Sequence, residues 1–126
     1  MQYMLAFHET PADFAARADA AAAGPYWGAW TAYIGAMAQA GIIVGGNGLQ
    51  PPHTGTTVRV RDGARTLTDG ATVHDGPYAD SKEQLGGYFI IEVPDLDAAL
   101  EWAARSPCAS TGSTEVRPVL PPMPAP

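Results

Sequence analysis

Three histidines and one cysteine supply most of the side chains whose chemistry is available near neutral pH. His8 follows an apolar opening segment, at a strand exit where a titratable ring can reach a cleft. His53 sits in Pro51-Pro52-His53-Thr54-Gly55, which reads either as a lid over a pocket or as an exposed loop. His74 adjoins Asp75; in an extended segment the two would point opposite ways, so a His74 and Asp75 dyad needs a turn. Asp75-Gly76-Pro77 is itself turn chemistry, in which the carboxylate can cap nearby backbone N–H groups. No H-x-H or H-E-x-x-H spacing joins the histidines, so no metal is expected. Cys108 has no basic neighbour in sequence to lower its pKa, which argues against a nucleophile. Gly45-Gly46-Asn47-Gly48 lacks both G-x-G-x-x-G and a Gly-Lys-Ser/Thr ending, so no nucleotide cofactor is expected. Tyr78 and Tyr88 flank the Asp75 loop and suit packing against a flat ligand, with Arg59 or Arg117 to pair an anionic group. Trp27 and Trp30 read as core packing or as a ligand platform.

The elements that must position these groups follow from pattern. Met1 to Phe7 reads as a central strand. Thr10-Pro11 opens a helix that the Ala-rich run carries to Ala23, where Gly24-Pro25 interrupts it. From Pro25 to Ala40, Trp27, Trp30, Ile34 and Met37 share one helical face, and Gly41 ends the helix. Gly28 and Gly35 weaken that helix unless they permit close packing. Ile42 to Val44 forms a short strand, followed by a loop. Thr56 to Val60 and Arg65 to Thr68, joined at Asp62-Gly63, form a hairpin. Thr72 to Gly87 reads as a long loop, with one helical turn at Asp80 to Glu83. Tyr88 to Val93 is the strongest strand, Pro94-Asp95 starts a helix through Ala103, and Glu115 to Val119 closes the set.

Without the hairpin, the order is βαββαβ, which predicts an α+β, ferredoxin-like antiparallel sheet with both helices on one face. A chain of 126 residues fits a single domain, assigned to residues 1–120, with a Pro-rich flexible tail over 121–126. The second sheet face needs a cover, so a homodimer of the dimeric α/β barrel type is expected. The net charge of -6 argues against nucleic acid and anionic membranes. No apolar run is long enough to span a bilayer, and the start lacks a signal peptide's basic region, so a cytoplasmic location is expected. The lone Cys108 rules out an internal disulfide.

Four ordered blocks carry a resemblance: Asp75-Gly76-Pro77-Tyr78, Lys82 to Tyr88, Val93 to Ala103, and Glu115-Val116-Arg117-Pro118. Together they resemble the YCII-related family, in particular its larger branch named for an Asp-Gly-Pro-Phe motif; here Tyr78 replaces the Phe. The resemblance implies small soluble bacterial proteins with a dimeric ferredoxin-like fold, several of them encoded beside sigma factors. It makes Asp75 the first candidate for a general base or anchor in the cleft, with His74 or His8 as proton shuttle and Tyr78, Tyr88, Trp30, His53 and Arg59 as substrate contacts. The smaller branch is thought to use a His and Asp dyad, and Trp30 and Ser106 stand at those places here. The expected function is cofactor-independent lyase or isomerase chemistry on a small molecule. The alternative is a non-catalytic module that binds a ligand or a partner such as a sigma factor.

Overall fold

A computed structural model describes residues 1–69 and 82–124. The strands are β1 (Gln2–Glu9), β2 (Ile43–Gly48), β3 (Thr56–Arg61), β4 (Ala64–Asp69), β5 (Gln84–Glu92) and β6 (Ser113–Pro118). The helices are α1 (Pro11–Ala16), α2 (Ala23–Gln39) and α3 (Leu96–Ala104). Four strands form an antiparallel sheet in the order β2-β5-β1-β6, and β3 and β4 form a separate two-stranded ribbon. This is the ferredoxin-like βαββαβ arrangement with a hairpin inserted between its second and third strands.

Side chains alternate across β1, so Tyr3, Leu5, Phe7 and Glu9 face one side of the sheet and Met4, Ala6 and His8 the other. Tyr3, Leu5 and Phe7 pack with Ile91 of β5, Trp30, Tyr33 and Met37 of α2, and Ala99 and Ala103 of α3 in a single core. Both helices therefore cover the same sheet face. Leu5, Phe7, Met37 and Ile91 are fully buried, and each such side chain contributes about 1.5–3 kcal/mol.

Helix ends follow local chemistry. Thr10 caps α1 through a reciprocal pair with Asp13, at 3.0 and 3.2 Å. Asp95 caps α3 by accepting from Ala98 N at 2.9 Å. Gly41 takes φ +71° directly after α2, as a helix-terminating glycine should. Asp62 and Gly63, at φ 52° and 76°, make the hairpin turn their sequence predicts.

Several expectations need correction. The first helix stops at Ala16 instead of Ala23; Arg17 keeps helical dihedrals and the backbone bonds tighten to three-residue turns through Asp19, while the Arg17 side chain is tied to β1, β5 and the segment after β2. The second helix starts at Ala23, with Gly24-Pro25 inside its first turn, where proline's missing N–H costs nothing. Its buried face is Trp30, Tyr33 and Met37, whereas Trp27 is 48% exposed and Ile34 is also exposed. The glycine stretch after Val44 is strand, not loop, and the β5 strand begins at Gln84, four residues before the expected Tyr88. A Cβ at Gly46 would overlap the Tyr88 carbonyl, so glycine is what lets β2 lie against β5. Most of the expected long loop, with Asp80 and Ser81 of the expected helical turn, lies outside the described residues; Lys82 takes φ 57° and Glu83 is not helical, so the turn's described half does not form a helix.

A Cβ placed at Gly35 meets open space. Gly35→Ala is therefore expected to stabilise the fold by about 1 kcal/mol, read as a rise in thermal midpoint. A lowered midpoint would show that something packs on that position.

Candidate active site

Glu9 is the last residue of β1, and the strand's alternation aims it at the helix side of the sheet. It is a carboxylate only 1% exposed. Such a group is tenable only when paired and hydrogen-bonded. Arg17 Nη2 donates to Glu9 Oε2 at 2.7 Å, and the Tyr26 hydroxyl donates to Glu9 Oε1. Arg17 Nε in turn donates to the Tyr26 oxygen at 3.0 Å, closing a triangle of three side chains. Arg17 is held further by the carbonyls of Leu49 and Gly86 and lies against the rings of Phe14, Tyr26 and Trp27.

Backbone irregularity makes room for this cluster. The pairing of β1 with β5 slips between Phe7 and His8, leaving Gly86 as an extra residue on β5. A Cβ there would overlap Glu9 Oε2, so the bulge must carry a glycine.

Burial pushes the Tyr26 hydroxyl well above the ordinary tyrosine range; its hydrogen bond to Glu9 adds to the rise and Arg17 opposes it. Tyr26 is thus a neutral donor at physiological pH. Burial works against the Arg17 charge, but its bonds to Tyr26 and Glu9 outweigh that and hold it above its usual value.

The triangle closes one end of a cavity of about 560 Å³. Phe7 and Phe89 rise from the sheet, Trp27, Trp30 and Ile34 come from α2, and Leu49 to Pro51 form the rim after β2. Its lining is mostly apolar, with Asn47 and Gln50 as polar members besides the Glu9 cluster. A concave, mostly apolar cleft with a few convergent polar groups is the usual form of a small-molecule site.

Of the residues singled out in the sequence, Trp30 lies in this cavity, where its ring meets Phe7 edge-on at 4.9 Å between centroids. His8 lies on the opposite sheet face, opposite Leu85 and Ser113 in register. The Tyr88 main chain borders the cavity, while its side chain shares the His8 face and accepts from Asn47 Nδ2 at 3.2 Å. Arg59 is exposed on the hairpin and His53 is exposed in a 3-10 turn, both outside the cavity. Arg117 pairs with Glu115 on the exposed side of β6. His74, Asp75 and Tyr78 lie outside the described residues. Ser106 is buried and hydrogen-bonded to Ala103 O and Thr114 Oγ1, each at 2.7 Å. Burial pushes the neighbouring Cys108 thiol up, away from thiolate chemistry. Among the described residues no cluster of three or more His, Cys, Asp or Glu could hold a metal ion, and no helix is long and apolar enough to cross a membrane.

Glu9, Arg17 and Tyr26 did not stand out in the sequence. A signal was present in the run Tyr3, Leu5, Phe7, Glu9, whose period of two places the carboxylate on the core face. Nothing local announces that Arg17 and Tyr26 meet it.

Gly86→Ala is expected to displace the Glu9 carboxylate and break its pair with Arg17. A loss of about 3–5 kcal/mol in denaturant unfolding is anticipated, as for uncoupling a buried ion pair. Wild-type stability in this variant would mean that Glu9 is not held as described.

An uncharacterised protein of Rhizobium meliloti is 51% identical over 49 residues, a stretch covering 37% of this chain and 40% of that protein. The solved structure of 5-chloro-2-hydroxyhydroquinone dehydrochlorinase (TftG) from Burkholderia phenoliruptrix, in complex with 2,5-dihydroxybenzoquinone, superposes with a TM-score of 0.52. That match covers 95% of this chain and 94% of the other at 16% identity, so it speaks to the fold, the dimeric α/β barrel type. Residues 1–122 match the YCII-related domain, and the chain therefore belongs to the YCII-related family.

Proposed function

We propose that this protein is a small-molecule enzyme whose active site is the helix-side cavity, with acid/base chemistry of the lyase or isomerase kind. The observation that carries the reading is the buried Glu9 carboxylate, linked through Tyr26 to an apolar cavity. A hydroxyl has two lone pairs, and the Tyr26 oxygen uses one for Arg17 Nε. The second can take a proton from a ligand while the Tyr26 hydrogen passes to Glu9 Oε1. The ligand's bond to hydrogen breaks, a new Tyr26 O–H forms, the old one breaks, and a Glu9 O–H forms. The ligand is left as an anion. Net charge is conserved, because Arg17 then balances the ligand anion in place of Glu9. Dry, aromatic walls strengthen that compensation. The catalytic precedent of TftG, a dehydrochlorinase, agrees with a reaction that begins by removing a proton.

The reading places the chain in the Asp-Gly-Pro-Phe branch, in the cytoplasm, as a homodimer whose partner covers the sheet face bearing Met4, Ala6 and Ile90. Sedimentation equilibrium at micromolar protein is expected to return twice the chain mass of 13.1 kDa; a monomer would remove the dimer. Asp75, with His74, is retained as a second acid/base candidate.

The enzyme reading is tested by following a panel of enolisable and hydroxylated ring compounds by proton NMR in D2O. Wild type is expected to turn over or deuterate at least one of them, and Glu9→Gln to slow this by about a hundredfold or more, the scale of a lost general base. If Asp75→Asn matches wild type while Glu9→Gln is inactive, Asp75 leaves the site. If wild type exchanges nothing, the enzyme reading fails. A second reading, a non-catalytic ligand-binding module, is favoured by Trp30 and Ser106, which the resemblance aligns with the smaller branch's dyad and which here serve packing and a buried hydroxyl pair. No contact among the described residues favours a sigma-factor partner.

A further inference from the structure

We infer that the cavity selects ligands carrying a neutral hydroxyl on a flat apolar body, and rejects carboxylates and phosphates. This rests on the cavity being the binding site, and it goes beyond that by fixing the polar group that is read.

The argument is an inventory of donors and acceptors. An arginine that binds an anion presents two parallel N–H groups to it. Arg17 has five N–H groups, and four are committed: Nε to Tyr26, Nη2 to Glu9 and to the Gly86 carbonyl, and Nη1 to the Leu49 carbonyl. No second N–H remains for a fork. Its charge is also already balanced by Glu9 at 2.7 Å. An anionic ligand would bring a second negative charge to a buried pair that sums to zero, within a chain of net charge -6. Desolvation of that charge would go uncompensated.

What the triangle offers instead is one acceptor, the second lone pair of the Tyr26 oxygen; the remaining Nη1–H of Arg17 lies on the opposite edge of the guanidinium from the Nε–H that Tyr26 accepts. A hydroxyl donates to that oxygen. A carboxylate or phosphate oxygen only accepts, and so meets the Tyr26 oxygen as one acceptor against another. The apolar part of the ligand finds Phe7, Trp27, Trp30, Ile34 and Phe89, which suit a planar ring.

Isothermal titration calorimetry at neutral pH with naphthol, methoxynaphthalene and naphthoate tests this directly, since the three share a ring and differ in the polar group. Naphthol is expected to bind about tenfold more tightly than either of the others, the scale of one well-made hydrogen bond. Tyr26→Phe should remove that advantage while leaving methoxynaphthalene within about twofold, which also reports an intact cavity. Trp27→Ala, at a half-exposed wall position, should weaken all three alike. Naphthoate binding as tightly as naphthol, or naphthol affinity unchanged in Tyr26→Phe, would overturn the hydroxyl preference and leave the cavity as a binding site. Failure of all three rings to bind would overturn both.

Discussion

A carboxylate at the end of a central strand, shielded almost completely from water, cannot stay charged without compensation, and much of this molecule is arranged to supply it. Glu9 is followed by a capped helix of only six residues, because the chain must turn in time for Arg17 to reach back. α2 then starts where Tyr26 falls over the same carboxylate. The β5 bulge at Gly86 clears the space, and the carbonyls of Gly86 and Leu49 take two further guanidinium donors. The first helix, the link to the second, the bulge and the exit from β2 are therefore tied to one buried charge. Breaking either contact to the Glu9 carboxylate leaves a buried acceptor without a partner, which is the costly direction for a buried ion pair.

What was legible in the sequence was local. The Asp62-Gly63 turn, the Asp95 cap, the alternating hairpin strands and the apolar β1 and β5 segments each carry their own signal within a few residues, and their order led to the fold. What was hidden depended on partners far along the chain. Gly45 to Gly48 has loop composition and becomes strand because β5 offers a ladder that a small residue can approach closely. The Ala-rich run past Ala16 has helical propensity and tightens into turns where Arg17 is tied to Glu9. Tertiary contacts overrode local preference in both places.

The Glu9 cluster went unread for a related reason. Histidine chemistry makes His8 a candidate proton shuttle beside Asp75, yet strand alternation sends His8 and Glu9 to opposite faces, and only the second faces the helices. The Trp27, Trp30, Ile34, Met37 spacing predicts one shared helical face, open to core packing or a ligand platform. The helix in fact splits it, with Trp30 and Met37 in the core and Trp27 and Ile34 at the edge of the cavity. An amphipathic stripe broader than the sheet can cover leaves an apolar margin, and here that margin is the cavity wall.

The same helix thus serves stability and walls the proposed site. Trp30, Tyr33 and Met37 lock α2 onto the sheet, and Tyr33 fastens it to α3 by donating to the Trp102 carbonyl at 2.8 Å. Tyr26 and Trp27, one turn before that anchored stretch, inherit its rigidity. A hydroxyl set by a packed helix against a carboxylate set by a central strand is preorganised in the sense that acid/base work requires, since neither element need move to bring the groups together. An apolar trio in their place would fill the same space without the desolvation that a buried ion pair carries. That this chain holds a charged pair and a tyrosine at the closed end of an aromatic cavity, where packing alone would favour hydrocarbon, is what weighs the cluster toward chemistry over support.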